Sequence, residues 1–164
     1  MIIKVLVCGG TFDKEYDEIK EQLVFRETHL TEMLKLGRCK LDLDIRTVML
    51  IDSLKMTDAD RKIILETCQK INEDKIVITH GTSRMVETAK FLAKYIKNKT
   101  IILTGAMSPY AFGSSDGLFN LGCALAFVQV LPYGVYITMN GKYFTWDNVK
   151  KNESTGIFET IKFI

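Results

Sequence analysis

The chain has 164 residues, 47% of them hydrophobic and 26% charged, with only 2 prolines and 11 glycines. This suits one globular domain over residues 1–164 and excludes a collagen-like, low-complexity or Pro-rich linker protein. Lys and Arg number 22 against 20 Asp and Glu, and no basic run stands out, which argues against an electrostatic nucleic-acid binder.

The N-terminal residues Met1-Ile2-Ile3-Lys4-Val5-Leu6-Val7-Cys8 lack the basic leader and cleavage site of a signal peptide. They predict a buried first strand over Ile2–Cys8, followed by strands at Leu43–Leu50, Lys75–Thr79, Thr100–Thr104 and Gly134–Met139. These runs are too continuously apolar for a half-exposed antiparallel sheet and fit parallel strands covered on both faces. Between them lie helical patterns. Thr57 with Asp60 forms a capping box ahead of a stripe of Ile63, Ile64, Cys68 and Ile71. A second helix spans about Arg84 to Ile96, with Met85, Ala89, Leu92 and Ile96 inward, and a third about Leu118 to Val130. The segment after Asn140 is expected to hold short strands. The alternation predicts an α/β fold with an open, doubly wound, mostly parallel sheet in three layers, Rossmann-like or flavodoxin-like. The uncharged stretch Thr100–Ser115 is broken by Gly105, Ser108, Pro109 and Gly113 and cannot supply the roughly 20 apolar residues of a membrane span. Cys8, Cys39, Cys68 and Cys123 lie far apart without CxxC spacing. They predict free thiols in the core rather than a disulfide framework or a metal site. A cytoplasmic protein is the expectation.

In open α/β sheets ligands bind beyond the carboxyl ends of the strands. Four loops leave those ends, each rich in Gly, Ser or Thr. In Gly9-Gly10-Thr11-Phe12 the glycines allow close backbone approach and Thr11 offers a hydroxyl nucleophile; the same residues also fit a tight turn. The pattern is not GxGxxG, and no P-loop signature is present, so no nucleotide cofactor is expected. In Ile51-Asp52-Ser53, Asp52 and Ser53 suit a polar substrate group, or simply lead into the Thr57 cap. In Thr79-His80-Gly81-Thr82-Ser83, Thr82 is a second hydroxyl for the site, or Thr82 or Ser83 caps the next helix. His80 reads as a structural, hydrogen-bonded histidine rather than a general base. In Gly105-Ala106-Met107-Ser108-Pro109 through Asp116-Gly117, Ala106 offers a backbone carbonyl and Asp116 a helix cap. A hydroxyl-rich crevice of this kind fits hydrolysis of a small molecule through a threonine. Such a hydroxyl needs activation, and the candidates are Tyr16 and Lys151, although spacing alone reads Lys151 as a solvated surface lysine.

At these loops the sequence resembles the N-terminal domain of the bacterial type I/II L-asparaginase family. Gly9-Gly10-Thr11-Phe12 is similar to the family's GGTI turn. Ile78-Thr79-His80-Gly81-Thr82-Ser83-Arg84-Met85-Val86-Glu87-Thr88-Ala89 is similar to its ITHGTDTMEETA motif. Thr104 to Pro109, then Ser115-Asp116-Gly117 and Asn120-Leu121, resembles its GAMRP…ADG…NL segment, and Asn148-Val149-Lys150-Lys151 its late V-x-K stretch. The matches come in family order across essentially the whole chain. The resemblance implies amide hydrolysis through an acyl-enzyme, releasing ammonia, without cofactor or metal. Thr11 is then the nucleophile and Tyr16 its activator. Thr82 and Lys151 position water or shuttle a proton. Ser53 binds the substrate α-carboxylate, with Gly10, Asp52 and Ser83 also against the substrate, and Ala106 contributes backbone near the oxyanion or leaving amide.

Three departures stand out. Where the family has Asp after its second threonine, this chain has Ser83, followed by Arg84, so the substrate ammonium and Lys151 both lose an anionic partner. The family's glutamine after the binding serine is Leu54. The family's C-terminal domain is expected to be absent. A weakly active or inactive member that binds a small ligand or a protein is therefore the alternative reading. The aromatic residues Tyr110, Phe112, Tyr143, Phe144, Trp146, Phe158 and Phe163 suggest a covered face and a homodimer or higher homo-oligomer; neither nucleic acid nor membrane is expected as a partner.

Overall fold

The computed structural model describes residues 1–161 of the chain. Ten strands and four α-helices follow one another as β1 (Ile3–Gly9), β2 (Lys14–Asp17), β3 (Gln22–Phe25), α1 (Leu30–Leu36), β4 (Leu43–Ile51), α2 (Asp58–Lys70), β5 (Lys75–Thr79), α3 (Met85–Tyr95), β6 (Thr100–Thr104), α4 (Gly117–Val130), β7 (Gly134–Met139), β8 (Lys142–Thr145), β9 (Lys150–Lys151) and β10 (Phe158–Glu159). Six of the strands form one sheet in the order β4-β1-β5-β6-β7-β8. All pairings in it are parallel except β7 with β8. That last pair is closed by Asn140-Gly141, both at positive φ, the geometry an Asn-Gly hairpin turn favours.

Strict alternation along the central strands builds a core on each face. Leu6, Cys8, Ile76, Ile78, Ile101 and Leu103 pack with Ile64, Cys68, Met85, Ala89 and Leu92 of α2 and α3. Val5, Val7, Val77 and Ile102 pack on the other face with Leu30, Met33, Leu121, Ala124 and Val128 of α1 and α4. The three-layer α/β sandwich matches the expectation, and the five predicted parallel-sheet strands appear within one residue of their predicted bounds.

The crossovers do not share one hand. β4–α2–β5 and β5–α3–β6 step across the sheet in one direction with their helices on one face, while β1–α1–β4 steps the other way with its helix on the opposite face. Those three have the same hand. β6–α4–β7 steps in the first direction, yet α4 lies on the face of α1. With the three others right-handed, as nearly all such units are, this one is left-handed. Its default place is already filled, because α3 lies against both β6 and β7.

Local detail corrects several expectations. The Thr57 capping box forms, with Asp60 N donating to Thr57 Oγ1 at 3.3 Å and Thr57 N to Asp60 Oδ2 at 2.8 Å. Ile63 is exposed rather than part of the inward stripe, since the α2 stripe runs through Ile64 and Cys68. Neither Thr82 nor Ser83 caps α3; its N-cap position is Arg84, without a side-chain cap. Of the thiols, Cys8 and Cys68 are buried, and burial pushes Cys68 up to about 12, but Cys39 and Cys123 are only half-buried. Phe144 and Phe158 belong to the core, Phe112, Tyr143 and Trp146 are exposed, and Phe163 lies outside the described residues.

Candidate active site

The sheet order fixes where a ligand would sit. From β1 the chain turns outward to β4 and returns on the other side of β1 as β5. The chain thus leaves β1 and β5 toward opposite faces of the sheet, and ligands in such sheets sit outside the carboxyl ends of the strands at that switch point. The loops after β4 and β6 flank it.

Glycines let these loops touch backbone to backbone. A Cβ on Gly9 would stand 2.5 Å from Ile51 N, one on Gly10 would stand 2.4 Å from Gly81 Cα, and one on Gly81 would stand 2.4 Å from Ser53 Oγ. A Cβ on Gly105 would reach His80 O at 2.3 Å. Gly10 combines φ 82° with ψ −178°, a region that is essentially glycine's alone. The loops after β1, β4, β5 and β6 are therefore locked into one surface.

On this frame the predicted residues fall as follows. Thr11 opens a 3-10 turn, Thr11–Asp13, whose other two side chains are buried. Phe12 enters the core, and the Asp13 carboxylate accepts hydrogen bonds from Thr28 Oγ1 and His29 N, both at 2.9 Å. Burial pushes the Asp13 carboxyl above its ordinary range. Thr11 is left half-buried, its hydroxyl making no hydrogen bond among the described residues. Thr82, at the other side of the crevice, is buried, and Lys151 Nζ donates to its Oγ1 at 3.0 Å. Lys151 reaches there from β9, anchored by buried Val149 and by its pairing with Phe158 of β10, so it is not a solvated surface lysine. Ser53 is buried against Gly81 and accepts a hydrogen bond from Arg84 N at 3.3 Å. Asp52 accepts from Leu54 N at 2.9 Å and pairs with Lys14, whose hydrogen bond holds the carboxyl below the usual carboxylate range. Gly10 lies buried against Gly81, its amide donating to Ile51 O at 3.0 Å. Ala106 is buried in the loop after β6.

Asp116 stands at the N-cap position of α4 without capping it. Its carboxylate instead accepts from Met107 N, Ser108 N and Asn120 Nδ2. Fully buried Asn120 also donates to Gly105 O at 2.9 Å and accepts from Asn140 N at 2.9 Å. Asn120 is thus the residue that shapes the backbone at Gly105 and Ala106. The one buried amide on a helix that carries no charged residue, it stood in the sequence within the Asn120-Leu121 match, with no role assigned to it. Tyr16 stands apart. It lies on β2, paired with Leu23 of β3 in a hairpin, half exposed and with its hydroxyl making no hydrogen bond among the described residues. Ser83 is half-buried and lines a small cavity of about 230 Å³ with Glu87, Lys90, Lys150, Lys151 and Glu153. A larger cavity of about 750 Å³ lies at β8 and β10, among Tyr143, Phe144 and Phe158. It holds none of the convergent hydroxyls, so chemistry rather than volume locates the site.

His80 holds the loop after β5 from within. It is fully buried, with Nδ1 donating to Gly81 O at 2.8 Å and Nε2 accepting from Thr88 Oγ1 at 2.9 Å. Arg61 Nε in turn donates to Thr88 Oγ1 at 3.3 Å. The neutral imidazole with its proton on Nδ1 suits both bonds, and burial pulls its pKa from 6.5 down to about 4. A base whose folded pKa is depressed adds stability that is complete above the unfolded value and is lost as pH falls toward the folded one. The loss between pH 6.5 and pH 5, above the carboxylate titrations, is expected to be about 2 kcal/mol. Urea midpoints at pH 7 and pH 5 measure it. A His80→Asn variant, which keeps a donor for Gly81, should lose most of that slope.

Comparison with known proteins agrees with this fold. The family model described as "Asparaginase, N-terminal" matches residues 2–163. The chain is 27% identical over 172 residues to the L-asparaginase of Thermococcus kodakarensis, covering 99% of this chain and 52% of that protein. It is 34% identical over 117 residues to L-asparaginase 2 of Escherichia coli, covering 65% of this chain and 34% of the relative. The solved Thermococcus kodakarensis structure superposes with a TM-score of 0.88 over 100% of this chain and 52% of that one. A probable cytoplasmic L-asparaginase from Campylobacter jejuni gives 0.78 at 30% identity, covering 98% of this chain and 53% of its own. The chain spans about half the length of these two structures. With a family model matched nearly end to end and the same fold throughout, the chain belongs to the asparaginase family, as its N-terminal domain.

Proposed function

We propose that the chain acts as a single asparaginase-type domain over residues 1–164, hydrolysing the side-chain amide of asparagine or a related small amide. Thr11 Oγ bonds to the amide carbon, the C–N bond breaks, and the hydroxyl proton leaves with the nitrogen as ammonia. Water then splits the threonine ester, restoring the hydroxyl and releasing the acid. Thr82 and Lys151 are the proton-handling pair. Ser53 takes the substrate carboxylate with Gly10, Asp52 and Ser83 around it, and the backbone at Ala106 faces the developing oxyanion. In this reading Tyr16 activates Thr11 when the β2–β3 hairpin carries its hydroxyl to the crevice.

The observation that carries the reading is the 3.0 Å bond from Lys151 to Thr82, beside the Gly10–Gly81 contact that brings the Thr11 turn alongside. Ammonia release from asparagine tests it. Lys151→Met is expected to lower kcat by about 10²- to 10⁴-fold, the range for a lost proton-transfer group, with KM changed far less. Unaltered kcat would remove Lys151 from the reaction.

We propose a homodimer or higher homo-oligomer in the cytoplasm. Exposed Phe112, Tyr143 and Trp146 support self-association, and likeness to the probable cytoplasmic L-asparaginase of Campylobacter jejuni supports the compartment. Among the described residues no helix is long and apolar enough to cross a membrane.

A further inference from the structure

The carboxylates around the crevice are committed elsewhere. Asp52 pairs with Lys14 and accepts from Leu54 N. Asp116 is used by Met107 N, Ser108 N and Asn120. Asp13 is buried, its Oδ1 accepting from Thr28 and His29 N and its Oδ2 enclosed without a partner among the described residues. Glu87 pairs with Arg84 at 3.0 Å. At Ser83, next to the Thr82–Lys151 pair, the chain presents a neutral hydroxyl, and the cavity it lines carries Lys90, Lys150 and Lys151. Lys151 has no carboxylate within 4 Å among the described residues. Glu153, on the exposed outer rim of that cavity, is the one acid there without a partner among the described residues.

From this arrangement we infer that the site selects an amide that carries a carboxylate but no free α-ammonium: the ω-amide of a dicarboxylic acid, or an N-acylated equivalent, rather than asparagine itself. The inference rests on the amide-hydrolysis reading above. An ammonium placed beside Ser83 and Lys151 would meet a hydroxyl and a second cation, and would give up its water for neither. A methylene at the same point gives up nothing, while Ser53 remains for the carboxylate.

The test compares ammonia release from succinamate and from asparagine. The kcat/KM for succinamate is expected to exceed that for asparagine by at least about tenfold, the scale of one charge-assisted hydrogen bond. Ser83→Asp is expected to narrow or reverse that ratio by raising asparagine turnover, and Glu153→Gln to leave both rates unchanged. Equal or better turnover of asparagine by the unsubstituted chain overturns the inference. So does a selective fall in asparagine turnover in Glu153→Gln, because Glu153 would then be the ammonium acceptor. If neither amide is hydrolysed, the hydrolysis reading fails on its own, and calorimetric titration with the two acid products decides the ligand class. Tighter binding of succinate than aspartate supports the inference; tighter aspartate, or binding of neither, overturns it.

Discussion

Thr11→Val should reduce amide hydrolysis by about 10⁴-fold or more, the scale seen when a covalent nucleophile is removed, while leaving the melting temperature nearly unchanged. The substitution keeps the branched shape and deletes only the hydroxyl. The turn around it is held by its neighbours, Phe12 in the core and Asp13 by two hydrogen bonds, so the backbone does not depend on residue 11. Ammonia release measured with succinamate and asparagine, alongside thermal unfolding, separates chemistry from folding. A variant that keeps near-full turnover would shift the nucleophile to another hydroxyl in the crevice, with Thr82 the first to examine.

Gly10→Ala should be the most damaging single-methyl change in the frame. The added Cβ would stand 2.4 Å from both the Cα and the N of Gly81, with backbone on both sides of the collision. It would also force an L-residue into φ 82°, ψ −178°. Backbone strain of this kind costs about 1–3 kcal/mol alone, and overpacking typically about 1–3 more. The expected loss is about 4 kcal/mol, a fall in melting temperature of roughly 10 °C for a domain of this size. Gly122→Ala is the control. A Cβ there, on the exposed face of α4, meets nothing within 4 Å and should stabilise by about 0.5–1 kcal/mol. Similar losses at the two positions would mean that the Gly10–Gly81 contact yields without cost.

The central parallel strands were legible because burial on both faces leaves them no polar residues to alternate, as in Ile76-Val77-Ile78 and Ile101-Ile102-Leu103. The elements between Phe12 and Leu43 were not. β2 and β3 pair polar residues such as Lys14, Glu15 and Gln22 and turn through Glu18-Ile19-Lys20-Glu21, without a glycine or asparagine to mark the bend. α1 is one helix of seven residues with only Leu30 and Met33 buried, too short to establish a period. The same contrast holds at the site. Thr11, Ser53 and Thr82 follow strand ends and could be placed from the strands alone. Lys151 could not, since its approach to Thr82 depends on β9 and β10, two residues each. Asp116 was visible as a helix-start residue, but tertiary competition decided its partners: two backbone amides after β6 took the carboxylate that α4 would have used.

The Lys151–Thr82 bond joins residues 69 positions apart and draws on a segment that follows β7 and β8 in the chain. Closing long loops is slow relative to forming local structure. On dilution from denaturant, circular dichroism should therefore recover first, with Thr11, Ser53 and Thr82 already gathered on the sheet edge. Hydrolysis should return later, as a separate kinetic phase, giving a period in which the molecule has its native outline without the Lys151–Thr82 bond.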